Sequence, residues 1–172
     1  MAMRALNLFA LCICAVLFTG CAGYHLGPTN GAMAGEKSVE VLPFNNQTLQ
    51  PRLGDAVTKS LRQRLQADST YHLATGGTAD VVVTGVITKY NREAMSYLNT
   101  DAATPEDYRV NLTAHVTARE RVSGKLILDK DVKGSALVHI GADLASSERQ
   151  ALPLLADDLS DKITELLTDG AW

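Results

Sequence analysis

Apolar and polar residues alternate along Val110–Arg121 more strictly than anywhere else in the chain. Val110, Leu112, Ala114, Val116 and Ala118 fall on one side of a period of two, and Asn111, Thr113, His115, Thr117 and Arg119 on the other. Tyr108 and Arg109 extend the pattern backwards. This alternation predicts a β-strand with one buried and one wetted face. A wetted face points to an antiparallel sheet, because parallel strands are normally covered on both sides and read as continuous apolar runs. The polar face either meets only water or is offered to a partner or ligand.

Weaker versions of the pattern flank this strand. Val39-Glu40-Val41-Leu42-Pro43-Phe44 reads as a first strand, ended by Pro43 and the turn-forming Asn45-Asn46. Tyr71-His72-Leu73 reads as a short edge strand before a Gly76-Gly77 turn. Asp80 to Tyr90, rich in Val, Ile and Thr, reads as a long strand in which Gly85 marks a bulge or a close approach. Asn91 to Asp107 contains Asn99, Asp101, Thr104 and Pro105 and reads as a long hairpin loop or flap. On it Met95, Tyr97 and Leu98 either pack locally or touch a partner. Val122-Ser123-Gly124-Lys125 turns the chain into a return strand from Leu126 to Ile140, with a bulge expected near Asp129–Lys133.

Two segments show helical spacing instead. Leu53, Val57, Leu61 and Leu65 recur at steps of four after Pro51, with Arg52, Lys59, Arg62 and Arg64 on the remaining surface. Leu152, Leu155, Ala156, Leu159, Ile163, Leu166 and Leu167 recur at steps of three and four. Ser147-Glu148-Arg149-Gln150 resembles a capping box, but Pro153 follows within the same run, so the helix either starts near Pro153 or bends there, and Gly170 would stop it. Together these elements predict an α+β two-layer sandwich, with two helices packed on one face of a mostly antiparallel four- to five-stranded sheet.

The chain has 172 residues, long enough for one domain with its own core. Sixteen Lys plus Arg against 19 Asp plus Glu leave no basic footprint for nucleic acid, and aromatic residues are too scarce for a stacking platform. The opening is different in kind. Arg4 is the only charge before Glu36, and an apolar run from Ala5 to Phe18 follows it. That is a secretory signal, too short for a stable membrane span. It ends in Leu17-Phe18-Thr19-Gly20-Cys21, which resembles a bacterial lipobox. The resemblance implies a signal peptide over residues 1–20 and lipidation of Cys21, and Ala22 behind it resembles an outer-membrane sorting signal. Ordinary cleavage near Gly20 would instead leave Cys21 an exposed thiol. Cys12 and Cys14 leave with the signal, so no internal disulfide is expected. Residues 21–38 then read as lipidated N-terminus and tether, and 39–172 as a single domain.

No enzyme chemistry emerges. His25, His72, His115 and His139 show no metal-ligand spacing, so neither metal nor cofactor is expected. Gly76-Gly77 lacks the Lys-Ser/Thr of a phosphate loop, and no Gly-x-Ser-x-Gly elbow occurs. The pattern suits a binding or assembly module.

Several short motifs carry a resemblance across nearly the whole mature chain. They are Cys21-Ala22-Gly23-Tyr24-His25-Leu26, the Val39–Asn46 stretch, Ala79-Asp80 with Gly85 and Tyr90, Tyr108-Arg109-Val110, Ser123-Gly124-Lys125 and the terminal Leu-rich helix. In these the chain resembles the lipopolysaccharide-assembly lipoprotein family LptE, with Ala22 inserted where many members have Cys-Gly-Tyr. The resemblance implies a plug inside an LptD-type outer-membrane β-barrel that helps the barrel assemble and binds lipopolysaccharide. Arg92, Arg119, Arg121 and Lys125 are the candidates to meet lipid A phosphates, or are solvated charges. The Val41–Asn46 stretch followed by an amphipathic helix also resembles lipoproteins that regulate cell-wall synthases and secretion-channel lipoproteins of the curli type.

Overall fold

The computed structural model describes residues 37–98, 101–139 and 143–169. The expected signal segment, Cys21 and nearly all of the tether lie outside the described residues. In chain order the elements are β1 (Lys37–Val41), β2 (Asn45–Asn46), α1 (Leu53–Asp68), β3 (Tyr71–Leu73), β4 (Val81–Leu98), β5 (Asp101–Glu120), β6 (Leu126–His139) and α2 (Leu144–Thr168). The six strands form one sheet in the order β3-β1-β4-β5-β6, with β2 beside β4 beyond the end of β1. Both helices cover one face, giving the expected two-layer α+β arrangement.

The sheet is mixed. β4, β5 and β6 form the expected antiparallel meander, but β1 runs parallel to both β3 and β4. The crossover through α1 brings β3 back beside β1 in the same direction, as parallel pairing requires. These strands are three and five residues long, too short to show the apolar run that marks a parallel strand.

Asn45-Asn46 does not turn the chain away from the sheet. The chain steps out at Leu42-Pro43, drives Phe44 into the core and re-enters as β2, where Asn45 pairs with Val86. The Phe44 N–H donates to Thr58 Oγ1 (2.9 Å), whose hydroxyl donates to the Gly54 carbonyl (2.6 Å). A Cβ on Gly85 would lie 2.1 Å from the Phe44 ring, and one on Gly54 2.5 Å from the Phe44 carbonyl oxygen. Gly85 is therefore a site of close approach; the bulge in β4 is Thr88, between the Ile87–Ala114 and Lys89–Thr113 pairs.

The stretch expected as a flap is instead the far end of the β4–β5 hairpin, paired from Asn91–Asn111 out to Leu98–Asp101. Its polar residues and Pro105 are tolerated because register shifts at Ala94–Leu98 already break the ladder there. In β6 the bulge is Ile127, and the ladder runs unbroken through Asp129–Lys133. Those charges do not interrupt pairing because Asp129, Asp131 and Lys133 are all exposed. The outer edge of β6 is closed by α2: Asp158 accepts from the Ser135 N–H (2.7 Å) and Lys162 Nζ donates to the Lys133 carbonyl (3.0 Å).

Helix α2 starts earlier than expected. Asp143 caps it by accepting from the Ser146 N–H (2.8 Å), so the Ser147–Gln150 box lies inside the helix. The helix then runs through Pro153 to Thr168. Pro153 and Arg149 are both exposed, so the carbonyl that Pro153 leaves unpaired is on the solvent side. Gly170 lies outside the described residues. Leu53, Leu61 and Leu65 of α1 and Leu155, Leu159 and Ile163 of α2 are fully buried against Val83, Leu112 and Val116. Each such side chain contributes about 1.5–3 kcal/mol of transfer free energy.

Candidate functional site

The face of the sheet away from the helices is the candidate. The alternation in β5 that places Val110, Leu112, Ala114 and Val116 under α1 and α2 puts Asn111, Thr113, His115, Thr117 and Arg119 on the opposite side. Pairing sets what stands beside each of them. Lys89, Thr113 and Lys133 form one row; Asn91, Asn111 and Ser135 the next; Glu93, Arg109 and Leu137 the third. In the other direction Val86, His115 and Asp131 form a row, then Thr84, Thr117 and Asp129. Lys89, Asn91, Arg109, Asn111, Thr113 and Lys133, with Glu93 and Asp131, line one shallow depression in this face.

Two histidines on this face are held by carboxylates. His115 Nδ1 lies 2.9 Å from Asp131 Oδ1 and its Nε2 2.9 Å from Asp129 Oδ1. The hydrogen bond to Asp131, aided by both negative charges, raises the imidazole pKa. His139 Nδ1 lies 2.7 Å from Asp107 Oδ1, and this contact raises its pKa likewise. Asp107 is lowered, first by the Ser96 hydroxyl donating to it (2.6 Å) and then by His139.

The structure separates the four basic candidates. Arg92 lies on the helix side, with Nε 2.5 Å from Oε1 of Glu148, a carboxylate only 9% exposed in α2. Arg121 bridges strands: its Nε donates to the Ala79 carbonyl (2.8 Å) and its guanidinium pairs with Glu40 (2.5 Å). Arg119 stands on the open face beside Val82 and Leu126, and Lys125 is exposed in the β5–β6 turn. Arg119, Arg121 and Lys125 thus share one end of the sheet. Arg92 pairs with Val110 in the ladder, roughly 30 Å along β5 from Arg119 at about 3.4 Å per residue.

Sequence reasoning overlooked Lys89, Arg109 and Lys133. Lys89 reaches this face only through the bulge at Thr88, and Lys133 falls among charges that read as an interruption of its strand. Arg109 was legible, because it continues the polar side of the alternation.

The flap expected to carry an apolar contact does expose Met95 and Tyr97. Beside its base Leu49 is fully exposed, next to a groove that runs along Thr88–Arg92. Among the described residues no cluster of His, Cys, Asp or Glu could hold a metal ion, and no helix is long and apolar enough to cross a membrane.

Fold and face together define a class: a two-layer α+β domain with helices behind a mixed sheet whose other face is polar and open. Three solved structures share this fold at low identity. Protein XCC0632 from Xanthomonas campestris matches with a TM-score of 0.61 at 5% identity, covering 86% of this chain and 93% of that one. The hypothetical protein CT253 from Chlamydia trachomatis gives 0.57 at 10% identity, over 80% and 99%. The PelC dodecamer from Paraburkholderia phytofirmans gives 0.52 at 17% identity, over 84% and 96%. No curated protein matches the sequence. The family model LptE, described as lipopolysaccharide-assembly, matches residues 36–167. The chain belongs to the LptE family, a non-enzymatic lipoprotein family that acts in lipopolysaccharide assembly at the outer membrane.

Proposed function

We propose that this chain is anchored to the periplasmic side of the outer membrane through lipid on Cys21. There it plugs and helps assemble an LptD-type β-barrel, and binds lipopolysaccharide on its way to the surface. The observation that carries this reading is the open sheet face, mostly polar and uncovered by any other described part of the chain. A barrel lumen of this kind is polar and hydrated, so a plug needs a polar wall and a self-sufficient core behind it. Of the candidate cations, Arg119 and Lys125 have no ion-pair partner among the described residues and are the pair assigned to phosphate contact, whereas Arg92 and Arg121 are engaged by Glu148 and Glu40. Lipidation supplies the anchor, since several acyl chains bury enough methylene groups to hold firmly.

Gentle detergent extraction and affinity purification of the tagged protein tests the reading. Recovery of one very large β-barrel protein is expected, and recovery of a cell-wall synthase or a secretion channel would replace it. Cys21→Ala is expected to leave the domain folded and release it from membranes; continued tight retention would remove the lipid from the account.

A further inference from the structure

The open-face depression holds three cations for which the fold itself has no use. Lys89 and Lys133 flank Thr113 in one row, about 10 Å apart at the spacing of neighbouring strands. Arg109 lies four residues along β5, roughly 13 Å away on the same face. None of the three makes an ion pair among the described residues, although Glu93 stands directly across the ladder from Arg109. This contrasts with Arg64, Arg92, Arg121 and Lys162, each within 2.7 Å of a carboxylate. Like charges around a neutral residue add nothing to sheet stability.

The floor between them is made of Asn91, Asn111 and Thr113, and Glu93 and Asp131 add acceptors at the margin. The lining contains no aromatic or aliphatic side chain. The depression itself therefore lacks the apolar anchor in which binding energy at protein interfaces concentrates, while Leu137, beside Arg109 and outside the lining, is the exposed apolar side chain of that row. What the lining offers is hydroxyl and amide groups for a polyhydroxylated ligand, and flexible ammonium and guanidinium groups for anionic substituents on it.

We infer that this depression is a subsite for a phosphorylated oligosaccharide: Lys89 and Lys133 converge on one phosphate, Arg109 takes a second anionic group, and Asn91, Asn111 and Thr113 bond the sugar hydroxyls between. The inference rests on the lipopolysaccharide reading above and places the saccharide portion on the middle of the sheet, away from the hairpin end that carries Arg119 and Lys125.

The test is isothermal titration of the full-length protein in detergent with phosphorylated core oligosaccharide released from lipopolysaccharide, and with the same oligosaccharide after removal of phosphate. The double variant Lys89→Glu/Lys133→Glu is expected to weaken binding of the phosphorylated form by about tenfold or more. The charge-matched control Arg52→Glu/Lys59→Glu, on the helix layer, should stay within about twofold, and both variants should melt like the parent. Equal affinity of the double variant and the parent, or equal binding after phosphate removal, would overturn the subsite. Intact lipopolysaccharide is titrated in parallel. If it binds the parent while the oligosaccharide does not, the subsite alone is lost; if neither binds, the ligand assigned under the proposed function is lost with it.

Discussion

Val110, Leu112, Ala114 and Val116 are sealed beneath two helices, while Asn111, Thr113 and His115, their neighbours in sequence, stand on a face that no other described part of the chain covers. On the sealed side part of the polar demand is met locally: Thr58 bonds the Phe44 N–H and Tyr71 Oη donates to the Leu167 carbonyl (3.0 Å). The buried hydroxyls of Ser160 and Thr164 in α2 find no hydrogen-bond partner among the described residues. On the open side His115 and His139 are held by carboxylates, but Lys89, Arg109, Arg119 and Lys133 make no ion pair among the described residues. One face holds the fold together, and the other is spare chemistry held rigid by it. Because neighbours along a strand alternate between the two, substitutions one position apart should have effects that differ in kind.

The largest expected effect is on the sealed face. Leu112→Ala should cost about 2–5 kcal/mol, read from denaturant unfolding, because a fully buried side chain leaves a cavity. Gly85→Ala comes next, at about 1–3 kcal/mol, since the added methyl must displace the Phe44 ring; an unchanged midpoint would mean that Phe44 can move aside. Arg92→Ala leaves the Glu148 carboxylate buried without its partner. A fully buried pair would lose about 3–5 kcal/mol, and solvent screening of a guanidinium that is 43% exposed reduces this to about 1–2 kcal/mol. Thr113→Ala on the open face should change stability by less than about 0.5 kcal/mol.

The smallest effect is a titration. The folded-state pKa of His115 is raised, so its ion-pair contribution is fully present below the ordinary imidazole range and is lost as pH rises through the raised value. Asp107 is depressed, so its contribution is present above the ordinary carboxylate range and is lost as pH falls through the lowered value. An NMR titration should show the His115 midpoint fall in Asp129→Asn/Asp131→Asn, and no movement would contradict the pairing.

How much of this was legible in the chain follows from the length of each signal. The 110–119 alternation and the Leu53–Leu65 stripe are long enough to fix face and layer unaided, and the structure places both as read. The parallel strands were hidden because β1 and β3 are too short to display burial on both sides. The hairpin beyond Asn91 reads as a loop in sequence because ladder hydrogen bonds belong to the backbone and do not need apolar side chains. Single-residue bulges at Thr88 and Ile127 leave no composition signal, yet each inverts the faces of the residues that follow it, in β4 as far as the next shift after Ala94. That is why Lys89 entered the site only with the register in hand. Arg92 illustrates the converse: an apt charge at an apt place in the chain, turned toward the helices and held by Glu148.

Site-specific photo-crosslinking in cells tests most directly whether the open face is the working surface. A photoreactive residue at Asn111 on that face is expected to capture lipopolysaccharide, and one at Gln63, exposed on the helix layer, to capture none. Equal labelling from both positions, or labelling from Gln63 alone, would contradict the account.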